Sequence, residues 1–250
     1  VSYSQKARTA LVTGAGGGIG GAVALQLAAT DVAVFLVARA RDELAETAKR
    51  ITLSGGAAYM LPADLAVMSE VDRVADRAAG VDILINTSAV VWPLAPRSRV
   101  DPGEWATAIR ISLLSVAALT FALLPPMLDR GWGRVVNVSS GIFACPEATI
   151  GGSDYAAGKS ALEAHTINLA AELANSGVTV NAFRPGAVDP GMRAWVRNHG
   201  PAQIGEAFHE RFSLSHAEGM LISPARSAGS LIARLDSDVT GAIFDVSDTL

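Results

Sequence analysis

Short apolar runs alternate along the whole chain with longer stretches of helical periodicity. Residues 9–12, 32–37, 57–61, 82–85, 134–138, 178–183 and 242–246 read as strands. Their near-continuous apolar character is the pattern of strands covered on both faces. After the first strand, Ile19, Val23 and Leu27 fall on one face of a helix. Residues 42–54, 67–79, 101–124 and 224–235 also read as helices. A further helix starts at Ser153 as its N-cap and is closed by Asn175-Ser176-Gly177. Strands alternating with helices predict a doubly wound, mostly parallel α/β sheet of about seven strands with helices on both faces. No linker, repeat or low-complexity tract divides 1–250, which reads as one domain. The least patterned part is 187–223, with Trp195, Phe208, Phe212 and Met220 scattered among Gly, Pro and His. A loop-rich segment of that length is expected to be a lid or binding loop.

The first strand runs into Thr13-Gly14-Ala15-Gly16-Gly17-Gly18-Ile19-Gly20 and then into a helix. Strand, glycine turn and helix together put a helix N-terminus against a phosphate, and glycines let the backbone approach a pyrophosphate closely. In such a unit the residue ending the second strand meets the adenosine ribose, and a carboxylate there would accept from the 2′-hydroxyl. This chain has Ala38, then Arg39 and Arg41. With no carboxylate to repel a 2′-phosphate and an arginine able to grip one, NADP(H) is favoured, and NAD(H) stays possible. The plainer alternative is a pair of solvated arginines opening the next helix.

Tyr155 and Lys159 stand one turn apart and so share a helix face. A neighbouring ammonium favours the phenolate, which brings a tyrosine towards the pH range where it can act as an acid or base. In doubly wound sheets ligands bind beyond the carboxyl ends of the strands. The glycine turn, Asp64, Asn86, Ser139-Ser140 and Pro185-Gly186 all fall at such ends.

With these motifs in this order, nearly the whole chain resembles the short-chain dehydrogenase/reductase family. The glycine motif is matched by Thr13, Gly14, Gly18 and Gly20, the aspartate beside the adenine by Asp64, and the Tyr-x-x-x-Lys by Tyr155 and Lys159. The catalytic serine is matched by Ser140, with Ser139 as the second choice, and the Pro-Gly after the sixth strand by Pro185-Gly186. The resemblance implies a single-domain Rossmann fold and a ketone–secondary alcohol oxidoreductase. Ser140 would hold the substrate oxygen, Tyr155 would move its proton, and Lys159 would hold the nicotinamide ribose. Cofactor contacts are implied for Gly14, Gly16, Gly18, Ile19, Gly20, Arg39, Asp64, Leu65, Asn86, Tyr155, Lys159, Pro185, Gly186 and Val188. The family's helix asparagine, counted from Trp105, is replaced by Ser112, the candidate fourth catalytic residue. Asn86-Thr87-Ser88-Ala89 stands where relatives have Asn-Asn-Ala-Gly, Pro190 where they often have threonine, and Ser247-Asp248 where Gly-Gly is usual. These departures motivate an alternative function, a catalytically impaired nucleotide-binding subunit paired with an active relative. A Rossmann domain for another nucleotide leaves Tyr155 with Lys159 unexplained.

Composition narrows the rest. A formal net charge of −4 offers no basic surface for nucleic acid. The single cysteine, Cys145, excludes an internal disulfide framework and a multi-cysteine metal site, so a reducing, cytoplasmic setting is expected. No metal site is expected either, because His199, His209 and His216 lack ligand spacing. The N-terminal residues lack an apolar signal core. The apolar run between Ile111 and Leu128 is broken by Ser112, Ser115 and Thr120, which points to a helix buried between the sheet and a neighbouring subunit rather than in a membrane. The resemblance implies a homodimer or homotetramer through that helix and the Tyr155 helix; His165, three residues past Leu162 on the latter, is expected to be a satisfied core or interface residue. Met192, Trp195, Ile204, Phe208, Phe212 and Met220, with Trp92, suggest an apolar wall and a hydrophobic small-molecule ketone or alcohol. Arg193 and Arg197 suggest instead an acidic or phosphopantetheine-bearing one, as for a 3-oxoacyl thioester reductase.

Overall fold

The computed structural model describes residues 8–95, 97–141, 151–188, 201, 206, 209–210 and 221–249. Seven strands are formed: β1 (Thr9–Thr13), β2 (Ala33–Ala38), β3 (Ala58–Pro62), β4 (Ile83–Asn86), β5 (Gly133–Val138), β6 (Val178–Arg184) and β7 (Ile243–Asp245). They make one sheet in the order β3-β2-β1-β4-β5-β6-β7, and every pairing is parallel. The register aligns Thr13 with Asn86 and Asn86 with Asn137. The carboxyl ends of β1, β4 and β5 are therefore level, and the turns that leave them open onto one edge.

The helices are α1 (Gly18–Ala28), α2 (Arg41–Leu53), α3 (Met68–Arg77), α4 (Pro102–Ile109), α5 (Ser115–Arg130), α6 (Ser153–Glu172) and α7 (Pro224–Ile232). Side chains alternate across a strand, so adjacent residues of β1 serve different cores. Val12 packs with Val34, Leu36 and Ile85 of the sheet against Val23 and Leu27 of α1, Leu44 of α2 and Leu231 of α7. Leu11 packs on the other face with Leu84 and Val135 against Val71 and Val74 of α3, Leu119, Leu123 and Met127 of α5, and Leu169 of α6.

Two helix ends differ from expectation. The helix expected over 101–124 continues through Pro125 and Pro126 to Arg130, after a π-turn at Arg110–Leu114. A proline withdraws the N–H that the carbonyl four residues earlier would accept. Those positions, Phe121 and Ala122, are exposed, where water can satisfy the carbonyls, while Leu123 and Met127 hold the helix to the sheet. Ser153 is the first residue of α6 rather than its cap, a place taken by Gly152. Its hydroxyl instead accepts from Trp105 Nε1 at 3.2 Å.

Pro102–Arg130 as a whole is long and apolar enough to cross a membrane, but half of its most apolar window is buried within the fold. The outer face of α5 and α6 stays open, with Leu114, Phe121, Leu128 and Ile167 exposed. His165, expected to be satisfied, packs edge-on to Phe121 with ring centroids 5.7 Å apart. Its Nε2 is buried with no hydrogen-bond partner among the described residues, and burial lowers its pKa.

The ends of α5 and α6 meet where the chain turns into β5 and β6. Gly177 has φ +80, and a Cβ there would lie 2.0 Å from the backbone oxygen of Gly131. Gly80 has a similar φ, +84, but nothing lies within 4 Å of its Cβ position. Gly80→Ala should therefore cost only the left-handed backbone penalty, about 1–2 kcal/mol. Gly177→Ala adds a backbone collision and should cost clearly more, roughly 3 kcal/mol or above. Urea unfolding midpoints of the two variants check the ranking; equal losses would contradict it.

Candidate active site

A crevice of about 870 Å³ runs along the edge at which β1, β4 and β5 end. The turns after β1, β2 and β3 supply one half of its wall, with Gly14, Gly16, Gly18, Ile19, Gly20, Arg39, Asp64 and Leu65. The exits of β5 and β6 and the start of α6 supply the other, with Ser140, Tyr155, Lys159, Pro185, Gly186 and Val188.

The glycine turn is held from beneath by the exit of β4. Thr87 Oγ1 donates a short hydrogen bond to the Thr13 carbonyl. Thr13 Oγ1 accepts from the backbone N–H groups of Thr87 and Ser88, each at 3.1 Å. A Cβ on Gly20 would lie 2.3 Å from the Gly14 carbonyl oxygen and 2.5 Å from Thr87 Oγ1, so only glycine lets the turn close this tightly. Asp64 accepts from the Ala66 N–H at 2.9 Å, and its own N–H donates to Glu70 at 2.8 Å. The carboxylate is thereby fixed in the turn that faces the crevice.

At the other half, Lys159 is only 2% exposed. Its Nζ donates to the Val138 carbonyl at 2.5 Å. Burial pushes its pKa down to about 8, and the charge of Glu163, one turn further along α6, works against that fall. Glu163 accepts a two-pronged contact from Arg184, both bonds 2.9 Å, and that contact raises the arginine's pKa. Tyr155 is half-buried, one turn before Lys159. Of the paired serines, Ser140 is half-buried, whereas Ser139 is buried and its Oγ has no hydrogen-bond partner among the described residues.

Two expected site residues do not line the crevice. Asn86, expected to contact cofactor, lies on the sheet face covered by α6, where its Nδ2 donates to Asn137 Oδ1 at 2.9 Å. Asn137 Nδ2 continues the ladder to Thr166 Oγ1 at 2.9 Å, and Thr166 donates to the Leu162 carbonyl at 2.7 Å. Ser112, expected to be catalytic, sits in the π-turn, 2% exposed. It packs beside Gly158, where an added Cβ would come within 3.1 Å of the Ser112 Cβ.

Residues 8–200 match the family described as short chain dehydrogenase. The chain belongs to this family. Among curated relatives of this dehydrogenase, the short-chain reductase protein NovJ of Streptomyces niveus is 35% identical over 192 residues, 75% of this chain and 71% of the relative. The cis-4-hydroxycyclohexanecarboxylate dehydrogenase of Sinomonas cyclohexanicum is 33% identical over 249 residues, 96% of this chain and 94% of the relative. A solved structure of a variant actinorhodin polyketide ketoreductase with NADPH superposes with a TM-score of 0.84 at 29% identity, covering 98% of this chain and 97% of that one.

The dehydrogenase places on its wall several residues that the motifs did not single out: Glu43, Thr87, Arg184 and Asp245. Glu43 stands one turn before Thr47, whose burial on α2 marks the face turned inwards, and no motif in the sequence signals it. Most of the expected lid, including Pro190, Met192, Arg193, Trp195, Arg197, His199, Ile204, Phe208, Phe212, His216 and Met220, lies outside the described residues, as does Cys145. The two ends of 187–223 are joined, since Val188 bridges Ile222 and the Ile222 N–H donates to the Ala187 carbonyl at 2.9 Å.

Beside Tyr155, Asp154 is 1% exposed and its Oδ2 has no partner among the described residues. Burial raises its pKa, against the backbone N–H groups of Asp154 and Tyr155, which favour the charged form. The folded protein therefore holds a proton that the unfolded chain gives up more easily. The stability this contributes is full below the unfolded carboxyl pKa, about 3.9, and is lost as pH rises through the folded value. Asp154→Asn should accordingly raise Tm relative to the parent more at about pH 8 than at about pH 4. Melting curves at the two pH values test this, and a pH-independent difference would refute it.

Proposed function

We propose that the protein is an NADP(H)-dependent oxidoreductase that interconverts a ketone and a secondary alcohol. The observation that carries this reading is the buried Lys159, tied to the end of β5 one turn after Tyr155 and on the same crevice as the glycine turn. A dinucleotide fits the residues present. Glycine at positions 14 and 20 keeps the turn free of side chains, and the crevice is continuous from Arg39 to Tyr155. Ala38 and Arg39 at the end of β2 favour the phosphorylated cofactor, as does the likeness to the ketoreductase solved with NADPH.

The dinucleotide, when bound, supplies or takes up the hydride. Ser140 holds the substrate oxygen by a hydrogen bond. Tyr155 gives that oxygen its proton during reduction and removes it during oxidation. Lys159 binds the nicotinamide ribose and, by its charge, favours the phenolate that remains when the proton has left. A cyclic or polyketide-like carbonyl compound is the favoured substrate class, on the strength of the cyclohexane-alcohol dehydrogenase and the polyketide ketoreductase among its relatives.

A second reading rests on Ser112. Because it is buried beside Gly158 and absent from the crevice wall, it is poorly placed to extend a proton relay. The chain would then be an impaired subunit that binds NADPH without turning over.

Tyr155→Phe should lower kcat by about 10²–10⁴-fold while leaving NADPH affinity nearly unchanged, and Ser140→Ala should lower the rate more than Ser139→Ala. Steady-state kinetics on a panel of ketones, beside a binding titration, decide this. A Tyr155→Phe enzyme with parental kcat would sink the assignment, and a parent that binds NADPH but turns over none of the panel selects the second reading.

The open face of α5 and α6, where Leu114, Phe121, Leu128 and Ile167 are exposed, supports a homodimer or homotetramer. Phe121→Glu should shift sedimentation towards the monomer, since a charge would have to be buried in the interface. A parent that already sediments as a monomer at micromolar concentration would contradict the assembly.

A further inference from the structure

Ala38 ends β2 without the carboxylate that would accept from a ribose 2′-hydroxyl. The structure returns a carboxylate to that place from another element. Glu43, in the first turn of α2, lies over the glycine turn. A Cβ on Gly16 would meet Glu43 Oε2 at 2.8 Å, Glu43 Cβ at 3.0 Å and Ala38 Cβ at 3.5 Å. The carboxylate therefore lies beside the glycine turn and the end of β2, on the solvent side. Its direction is set by α2. Thr47, one turn on and therefore on the same face, is buried with its hydroxyl 3.4 Å from the Gly16 carbonyl. Arg39 and Glu43 both line this end of the crevice, so a cation and an anion share the ground where a 2′-substituent would sit.

We propose that Glu43 is a specificity-determining residue for the cofactor, opposing a 2′-phosphate and accepting from an unphosphorylated 2′-hydroxyl. This rests on the oxidoreductase reading and refines it. Arg39 draws in NADP(H), and Glu43 limits that preference so that NAD(H) is also bound. Removing the negative charge alone should then sharpen the preference for NADPH. Because the group is solvent-exposed, the effect should be modest and should shrink as salt screens it.

The test is calorimetric titration of NADPH and NADH into the full chain and its E43Q and D42N variants, with a cofactor-free melt of each to establish folding. Asp42 shares the first turn of α2 but does not line the crevice, so D42N controls for charge at the helix start. The parent should bind both dinucleotides within about tenfold of each other. E43Q should raise the NADPH-to-NADH affinity ratio by about fivefold, a change near 1 kcal/mol, and the rise should fall off at high salt. D42N should leave the ratio where it is. An unchanged ratio in E43Q overturns the proposal, and so does an equal shift in D42N, which would mean a diffuse field rather than a contact at the ribose. Failure of the parent to bind either dinucleotide is a different result, which overturns the oxidoreductase reading and the role of Glu43 with it.

Discussion

Burying an ammonium is costly unless the charge finds partners, and Lys159 imposes that constraint on the half of the fold where β5, α6 and β6 meet the crevice. Its Nζ takes the last carbonyl of β5, at Val138. That carbonyl is available because the chain leaves the sheet there, so the lysine fixes the level at which Ser139 and Ser140 emerge. Glu163, one turn further along α6, supplies the opposing charge. Glu163 is itself nearly buried and is held by the fork of Arg184, at the end of β6. One chain of charge thus ties β5, α6 and β6 together and delivers the Arg184-Pro185-Gly186 turn to the same crevice.

A second, uncharged chain runs one layer deeper. Asn86 of β4, Asn137 of β5 and Thr166 of α6 bond in sequence across the sheet and into the helix. Buried polar groups of this kind are expensive if unpaired, and they specify one arrangement when paired. The ladder sets α6 against β4 and β5 at a single height. Tyr155 and Lys159 then inherit their position from Thr166 and Leu162 further along the same helix.

The architecture was legible in the sequence because each strand is a short apolar run and the helices keep their period. All seven strands stand within a residue or two of the runs that announced them. The continuation of α5 through Pro125 and Pro126 was not legible, since a proline pair normally ends a helix. What overrides it is tertiary: Leu123 and Met127 are anchored on the sheet, while the bereft carbonyls face water. Asn86 turns its side chain away from the crevice for a related reason. Its position at a strand end pointed to the ligand, but side-chain direction depends on register, and in this register Asn137 is its neighbour. The crevice-facing Glu43 was hidden because it reaches the glycine turn from a different element, a distance in space that no motif spacing encodes.

Thr87 shows how a departure from a family pattern becomes readable once its surroundings are known. As sequence, a threonine in Asn86-Thr87-Ser88-Ala89 counts only as a mismatch. In the fold its hydroxyl is bonded to the Thr13 carbonyl and fills the hollow left by the missing side chains of Gly14 and Gly20. A Cβ on either glycine would run into that oxygen at 2.6 or 2.5 Å. The glycines and the threonine are thus one packing unit. The turn that would face a pyrophosphate is rigid from below because β4 sends Thr87 into it, and it is open from above because the glycines send nothing out. The two halves of the crevice meet through β4, which carries Thr87 to the glycine turn and Asn86 to the ladder beneath Tyr155 and Lys159.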